Sequence, residues 1–433
     1  MTSAELPDRG LVFWPVGTGD STTVVIDGDH VVQVDLHDMA MADEEDAAVA
    51  AVVDRLVEVL PRRDGKPYLA AFILTHADKD HCLGFAELLK KVTIGELLAT
   101  PRLWREYTDN DVPLCEDAEA FHKEAKRRVA ATEKAASQGR APASGDRIRV
   151  VGYDTDQEKH AYSELPAEYL SYPGDTVTTI DGDDVSDWFE AFIHAPFKDD
   201  CAAERNDTSL ALQITLKGDA GEEGHVLLLG DLAYETIKKI FEYSEAAERP
   251  ERLAWEVLLA PHHCSKKVMY VAEDGEEALQ QDILDLLEAH ASESAVVVVS
   301  SCEFPESNKS GDNPPHIVAR DRYEEIADEV ICVGEYPDAD APRPLVFVLG
   351  GEGLAPLPVD AKASEATAKS AAAILAGAGA GVILAKLAAT VIARRRARPK
   401  QAQQRGLGQV RQAVTTARGD DAAPQQAVGF GQA

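Results

Sequence analysis

The chain has 433 residues, of which 45% are hydrophobic and 27% are charged, and its formal net charge is −33. This length allows one large domain with additional segments, and the composition is that of a soluble globular protein with an excess of acid. Residues 362–433 contain eleven basic and three acidic residues, so the acidic excess lies in residues 1–361. Such a body repels nucleic acid over most of its surface, unless metal ions or a basic groove reverse the field locally.

The cysteines and the amino terminus indicate a cellular compartment. Six cysteines are scattered along the chain without a CxxC pair, and the first ten residues, MTSAELPDRG, lack an apolar signal region. Both features are typical of a protein of the reducing cytoplasm.

The first half of the chain predicts strands before helices. Residues 11–36 predict three antiparallel strands joined by the loop GTGDS and the turn DGD. Apolar residues at helical spacing predict a helix over 43–60, and the run YLAAFILTH predicts a buried strand over 68–76.

Residues 101–184 are polar and irregular, with a charged helical piece over 117–136 and several Tyr and Pro residues, so we expect an insertion over one face. From 189 onward strands alternate with helices, one of them around 276–290. Because the early hairpins are antiparallel, a mixed sheet is expected rather than a doubly wound parallel one.

The segment LTHADKDHCLGF, residues 74–85, places His76, Asp78, Asp80 and His81 between a strand and a helix. Two carboxylates this close repel one another unless a cation lies between them, and a divalent metal ion is the usual cation. The alternative is a helix cap, in which one carboxylate accepts backbone hydrogen bonds. A cap needs only one acidic residue, so the segment favours a metal site.

Similar side chains follow other apolar strands. Asp35 ends VVQVD, Asp231 ends HVLLLGD, and His262 and His263 end WEVLLAPHH. A single strand-end Asp is more often a turn or cap residue, and a single His is more often structural. Their recurrence beside the 74–85 segment favours one shared site at the ends of the strands.

These segments occur in a characteristic order: GTGDS, Asp35, THADKDH, NDTSLALQI, LLLGD and APHHCS. In this order they resemble the metallo-β-lactamase superfamily, and within it they are most similar to the hydrolase domain of the ComEC/Rec2 competence proteins. The resemblance extends from about Val12 to Gly350. It implies an α+β fold, a four-layer αββα sandwich with a metal site at one edge, here residues 1–355 with the insertion 101–184.

The resemblance implies a site for two divalent ions, and the ligands it implies are His76 and Asp78 for the first ion, Asp80, His81 and His262 for the second, and Asp231 for both. Asp78 stands where most of the superfamily has His, and Asn206 where many members have a third His. Because both departures make the first site rich in oxygen, Zn²⁺ or Mn²⁺ is expected, and Mg²⁺ could also bind.

The resemblance also implies roles around the ions. Asp80 and Asp231 belong to the catalytic set as well as to the ligands, and His263 could bind metal or contact substrate. Asp35, Asp20 and Asn206 would contact the metal ligands from outside or lie against the substrate.

Two later residues carry open roles. His316, in the segment GDNPPHIVARDRYEE, could contact a phosphate or donate a proton, or it could be structural. Cys264 replaces the glycine that is usual after the doublet, and it could pack inertly or meet the metal or an oxidant.

Residues 356–433 form an Ala-rich basic tail. Residues 371–393 are apolar apart from Lys386 and predict a helix, and RRRARPK follows it. That length is enough to span a bilayer, although Lys386 and the basic flank argue against a span. Contact of 371–400 with a membrane surface or with a protein partner, or a disordered linker, are the alternatives.

The function implied by the resemblance is hydrolysis that depends on two metal ions. Two divalent ions lower the pKa of a bound water and stabilise charge on phosphate oxygens, which suits a phosphodiester or another small anionic substrate. Nucleic acid, a polymeric phosphodiester, is a further candidate substrate. One alternative is hydrolysis of a small ester, lactone or thioester. Another is a non-catalytic scaffold or effector-binding module with the same fold.

Overall fold

The architecture is described from a computed structural model, which covers residues 6–39, 48–108, 114–153, 162, 164–198, 205–273, 276–307 and 313–358. The predicted apolar helix 371–393 and the basic residues after it lie outside the described residues. Among the described helices, none has the length and the apolar character that crossing a bilayer requires.

The strands are β1 (Gly10–Phe13), β2 (Thr22–Val25), β3 (Val31–Val34), β4 (Arg62–Arg63), β5 (Lys66–Ile73), β6 (Thr93–Ala99), β7 (Arg147–Val151), β8 (Leu170–Ser171), β9 (Thr176–Val177), β10 (Thr179–Ile180), β11 (Asp183–Asp184), β12 (Phe189–Ala195), β13 (Ala211–Lys217), β14 (Glu223–Leu228), β15 (Trp255–Leu259), β16 (Tyr270–Glu273), β17 (Glu276–Leu279), β18 (Ala291–Val299), β19 (Glu329–Cys332), β20 (Leu345–Gly350) and β21 (Gly353–Pro356). The helices are α1 (Val52–Val59), α2 (Lys79–Cys82), α3 (Phe85–Lys91), α4 (Arg102–Thr108), α5 (Glu116–Ser137), α6 (Tyr234–Ala246), α7 (Pro261–Cys264), α8 (Gln281–His290) and α9 (Ile317–Ile326).

Most strands belong to two mixed sheets. The first has the order β21-β20-β1-β2-β3-β5-β6-β7-β8, with β4 paired to β5. The strands β1, β2 and β3 pair antiparallel, which confirms the predicted hairpins, and from β3 to β8 neighbouring strands are parallel. The second sheet has the order β19-β18-β15-β14-β13-β12-β9, and its strands from β14 to β19 are parallel. The expectation of mixed sheets is therefore confirmed.

The buried side chains point to alternate faces along each strand, and they form three core clusters. Leu11 and Phe13 of β1 pack in one cluster with Val226 of β14, so this cluster joins the two sheets. Val12 packs in a second cluster, which joins the first sheet to helices α1, α3 and α5. Leu227 packs in a third cluster, which joins the second sheet to helices α6, α8 and α9. The period-2 alternation of a strand gives each sheet one face toward the other sheet and one face toward helices.

The segment 101–184, predicted to be an irregular insertion with one charged helix, contains that helix and also two strands of the first sheet. Helix α5 has 22 residues, and strands β7 and β8 extend the sheet beyond β6. Arg128 of α5 donates hydrogen bonds to the backbone carbonyls of Ile94 and Gly95, which fixes the helix on β6. In the sequence RIRVV of β7 only Ile148, Val150 and Val151 are buried. Because polar residues flank them, the residue pattern offered little indication of a strand here.

Two predicted helices begin later than the sequence indicated. The helix predicted over 43–60 is α1, which begins at Val52, and residues 40–47 lie outside the described residues. The helix predicted around 276–290 is α8, which begins at Gln281 because residues 276–279 pair as β17 with β16.

The parallel strands of both sheets bring polar loops to one edge. In the first sheet β3 ends at Val34 and β5 at Ile73, and in the second β14 ends at Leu228 and β15 at Leu259. The backbone N–H of Leu210 donates to the carbonyl of Thr75 at 3.0 Å and so links these edges. Side chains at the carboxyl ends of these strands therefore meet, as is usual for sites in parallel sheets.

Candidate metal centre

Asp35 fixes the orientation of two histidine rings. Its Oδ1 accepts from the backbone N–H of Thr75 at 2.8 Å, and its Oδ2 accepts from Thr75 Oγ1 at 2.6 Å and from His81 Nδ1 at 2.8 Å. Because Thr75 gives its hydroxyl proton to Asp35, its Oγ1 accepts from His76 Nδ1, 3.1 Å away. Both rings are therefore held in the tautomer that leaves Nε2 free, as in many carboxylate–histidine–metal arrangements.

The carboxylate of Asp231 lies between two groups of imidazoles. Its Oδ1 is 3.2 Å from His81 Nε2 and 3.6 Å from His263 Nε2, and its Oδ2 is 3.7 Å from His76 Nε2 and 3.8 Å from His262 Nε2. Burial favours the neutral acid, but His81 and His263 outweigh it and hold the pKa of Asp231 well below its usual value. Each oxygen of the Asp231 carboxylate therefore faces a different pair of imidazole rings.

His263 contacts acidic side chains through both ring nitrogens. Its Nδ1 lies 3.3 Å from Asp20 Oδ1, and its Nε2 lies 3.3 Å from Asp80 Oδ2. Burial alone would lower the pKa of His263, but the charges of Asp20 and Asp231 and the contact with Asp80 raise it to about 10. The pKa of Asp80 is lowered in turn, because His263 and His81 outweigh the effect of its burial. The surroundings of His263 are therefore strongly negative and suit a cation.

Asp78 lies on the opposite side of the cluster. Its Oδ2 is 3.5 Å from His76 Nε2, and its Oδ1 accepts a hydrogen bond from Arg205. Burial opposes ionisation of Asp78, but His76 and Arg205 outweigh it and lower its pKa. Asn206, the neighbour of Arg205, donates from Nδ2 to Asp231 Oδ2 at 3.5 Å.

Two turns place Asp20 and the histidine doublet. A Cβ on Gly19 would lie 2.8 Å from the carbonyl oxygen of Asp80, and the adjacent N–H of Asp20 donates to that oxygen at 3.0 Å. The loop GTGDS therefore lies directly on helix α2. After β15, His262, His263 and Cys264 have left-handed φ values of 51°, 55° and 66°, a conformation that non-glycine residues adopt at a cost and mostly at functional sites.

His316 lies beside this turn. Its backbone N–H donates to the carbonyl of Cys264 at 3.1 Å, and its Nδ1 accepts from the backbone N–H of Lys266 at 3.3 Å. His316 thus holds the strand-to-turn segment that carries the doublet. Its expected phosphate contact or proton donation stays a prediction.

The polar atoms at the centre of the cluster fit a metal ion. Asp20, His81, Asp231 and His263 are buried, and each offers a ligand atom within 4.8 Å of the others. Within the described part of the chain, no hydrogen bond reaches His76 Nε2, His81 Nε2, His263 Nε2 or Asp231 Oδ1. A buried polar atom without a partner costs about 1–3 kcal/mol, so a ligand is expected here. Imidazole nitrogens together with carboxylate oxygens suit Zn²⁺ or Mn²⁺.

The structure brings nearly all of the predicted site residues together and adds two. The sequence analysis missed Thr75, which relays the charge of Asp35 to His76, and Arg205, which pairs with Asp78. Thr75 precedes the motif directly, so its position after the strand was the available signal. Arg205 has no comparable signal, because its approach to Asp78 depends on tertiary packing alone.

The fold and the site define an α+β protein with a buried His/Asp cluster that is able to bind metal. No known protein-family profile matches the chain, and no curated protein matches it. Among solved structures, the chain is similar to the metallo-β-lactamase MIM-1 from Novosphingobium pentaromativorans, with 14% sequence identity and a TM-score of 0.26. That similarity covers 59% of this chain and 76% of the other.

Proposed function

We propose that the protein is a hydrolase that depends on two divalent metal ions, in a four-layer αββα sandwich of the metallo-β-lactamase type and its ComEC/Rec2-like branch. The contacts of Asp231 carry this proposal, because its two oxygens face different imidazole groups. Two sheets that share one cluster, each with helices on its other face, support the sandwich. Zn²⁺ or Mn²⁺ is the expected ion, with Mg²⁺ as a further candidate.

The distances support one distribution of ligands between the two ions. His76, Asp78 and His262 lie on the Oδ2 side of Asp231, and Asp80, His81 and His263 lie on its Oδ1 side. We therefore propose His262 as a ligand of the first ion and His263 as a ligand of the second. The sequence resemblance had instead implied His262 for the second ion.

Substrate would reach the cluster from the side of its least buried members. The side chains of Asp80, Asp78 and His262 are 36%, 30% and 17% exposed, whereas His76, His81 and His263 are almost fully buried. Divalent ions in this site would supply a water of lowered pKa and charge stabilisation for an oxyanion. The buried rings, fixed by Asp35 and Asp20, would keep the ligand atoms in place during turnover.

Cationic groups at the opening favour an anionic substrate. Lys267 is exposed, and its charge adds to the effect of burial in lowering the pKa of His262. Arg205 neutralises Asp78 beside the opening. We propose a small phosphodiester, because the net charge of −33 opposes the approach of a long polyanion.

The test is turnover of bis-p-nitrophenyl phosphate and of p-nitrophenyl acetate after removal of metal and separate addition of Zn²⁺, Mn²⁺ or Mg²⁺. We expect phosphodiester turnover with at least one ion. Asp80→Ala should lower it by more than about 100-fold, because loss of an outer partner alone costs about 10- to 100-fold. Asp29→Asn, in the exposed β2–β3 turn at the other end of the strand that leads to Asp35, is the matched control.

Other outcomes would redirect the proposal. Turnover of the acetate alone would replace the phosphodiester by an ester, lactone or thioester. Bound metal without turnover of either substrate would contradict the hydrolase and favour the scaffold or effector-binding module.

A further inference from the structure

Two thiols meet directly behind the metal centre. Cys82 is the last residue of α2 and Cys115 is the N-cap of α5, and their Sγ atoms lie 3.5 Å apart. The two residues are 33 positions apart in the chain and meet because α2 packs on α5. A disulfide bond is about 2.05 Å long, so the sulfurs would have to approach by about 1.5 Å.

The two thiols differ in exposure and in hydrogen bonding. Cys115 is half-buried, and its Sγ accepts from the backbone N–H of Ala118 at the amino end of a 22-residue helix. Cys82 is buried, and its Sγ lies 3.2 Å from the carbonyl oxygen of Asp78. The hydrogen bond from Cys82 and those from backbone N–H groups lower the pKa of Cys115 to about 6, although burial and the charge of Asp117 oppose this. The more accessible sulfur is thus also the better nucleophile.

We propose that Cys82 and Cys115 are a site of reversible disulfide formation, with hydrogen peroxide as the oxidant. The Cys115 thiolate attacks one peroxide oxygen, the O–O bond breaks, and the released hydroxide takes a proton to become water. The sulfenic acid on Cys115 is then attacked by the Cys82 sulfur, which loses its proton, and the S–O bond breaks to release a second water. The two sulfurs together lose two electrons, and the peroxide gains them.

The bond would alter the segment that carries the metal centre. Cys82 directly follows His81, and α2 also carries Asp80. A disulfide would fasten this short helix to α5 and would replace the contact of the Cys82 thiol with the Asp78 carbonyl. The site is therefore placed to couple oxidation to the metal ligands. The proposal does not depend on catalysis, since the bond needs only the two sulfurs and the oxidant.

The test is a non-reducing tryptic map of the full-length protein after treatment with hydrogen peroxide and alkylation of free thiols under denaturing conditions. Cleavage at lysine and arginine places Cys82 in peptide 80–90 and Cys115 in peptide 106–123. We expect these two peptides to be linked after oxidation and separated by dithiothreitol. The readout is the mass of a linked peptide, so its result does not depend on whether the protein has hydrolase activity.

Two variants control the experiment. Cys115→Ser removes the sulfur and keeps a preferred N-cap residue, so the helix should remain while the linked peptide disappears and Cys82 stays alkylatable. Cys302→Ser removes an exposed thiol elsewhere and should leave the linked peptide unchanged. The proposal would be overturned if Cys82 were alkylated while Cys115 was unreacted or oxidised beyond the sulfenic acid. A disulfide between Cys115 and another cysteine would also overturn it.

Discussion

The buried carboxylate of Asp35 orients two histidine rings of the candidate site and is not itself one of the proposed metal ligands. It accepts three hydrogen bonds, two from Thr75 and one from His81, and through the Thr75 hydroxyl it also determines which proton His76 carries. A histidine binds metal through the nitrogen that lacks a proton, so this network leaves Nε2 of both candidate ligands, His76 and His81, open to a metal ion. Asp20 stands in a similar relation to His263, at 3.3 Å.

The Asp35→Asn variant tests this network. Its amide is nearly isosteric but has only one oxygen, so His81 or Thr75 loses its acceptor. We expect metal affinity to fall by about 10- to 100-fold, as is usual when an outer partner is lost. Competition with a chromophoric chelator measures it, with Asp29→Asn as the control of equal chemistry. An unchanged affinity in Asp35→Asn would show that Asp35 has no part in preparing the rings.

The acidic surroundings of His263 make the stability of the metal-free protein depend on pH. Its pKa is raised from 6.5 to about 10, so the folded state holds this proton more tightly than the unfolded state. The resulting stabilisation is complete below pH 6.5 and is lost as the pH rises toward 10. Asp80 and Asp231 have lowered pKa values, so their contribution is lost as the pH falls through the acid range.

We therefore expect the Tm of the metal-free protein to fall between pH 6.5 and pH 10. His263→Gln should show a smaller fall over the same range, because its side chain does not titrate. Calorimetry at matched ionic strength measures both. An equal slope in wild type and variant would contradict the account of His263.

At the scale of elements, two turns determine the geometry of the site. The turn after β15 has three successive left-handed residues, His262, His263 and Cys264, so neighbouring imidazoles point to opposite oxygens of Asp231. The sequence predicted the doublet but not this division, because the division follows from backbone dihedral angles that the letters PHHC do not specify. The strand-end positions of Asp35, His76 and Asp231 were predictable, because an apolar run precedes each of them.

The loop GTGDS is the second turn, and glycine is required in it by close contact. A Cβ on Gly19 would lie 2.2 Å from His37 Nδ1 and 2.8 Å from the carbonyl of Asp80, whereas a Cβ on Gly28 would have nothing within 4 Å. We expect Gly19→Ala to destabilise the protein by about 1–3 kcal/mol, as overpacking usually does, and to weaken metal binding. Gly28→Ala should be close to neutral. Urea unfolding of both variants measures the difference, and equal stabilities would contradict the packing of this loop on α2.

At the scale of the whole molecule, the candidate site joins two sheets that are otherwise linked mainly by apolar packing. Asp35 and His81 belong to the first sheet's edge and Asp231 and His263 to the second's, so bound metal would fasten one to the other. The order of the sequence motifs was enough to anticipate this meeting. Within 101–184 the helix was predictable, whereas strand β7 was not, because it is short and its arginines mask the buried Ile148 and Val150.

The most direct test of the central claim is the metal content of the purified protein after dialysis, measured by inductively coupled plasma mass spectrometry. Wild type, Asp231→Asn and the exposed control Asp29→Asn should be compared after loading with Zn²⁺ or Mn²⁺. We predict two ions per chain in wild type and in Asp29→Asn, and fewer than one in Asp231→Asn, because that carboxylate faces both ligand groups. Wild type without metal, or Asp231→Asn that keeps both ions, would contradict the account.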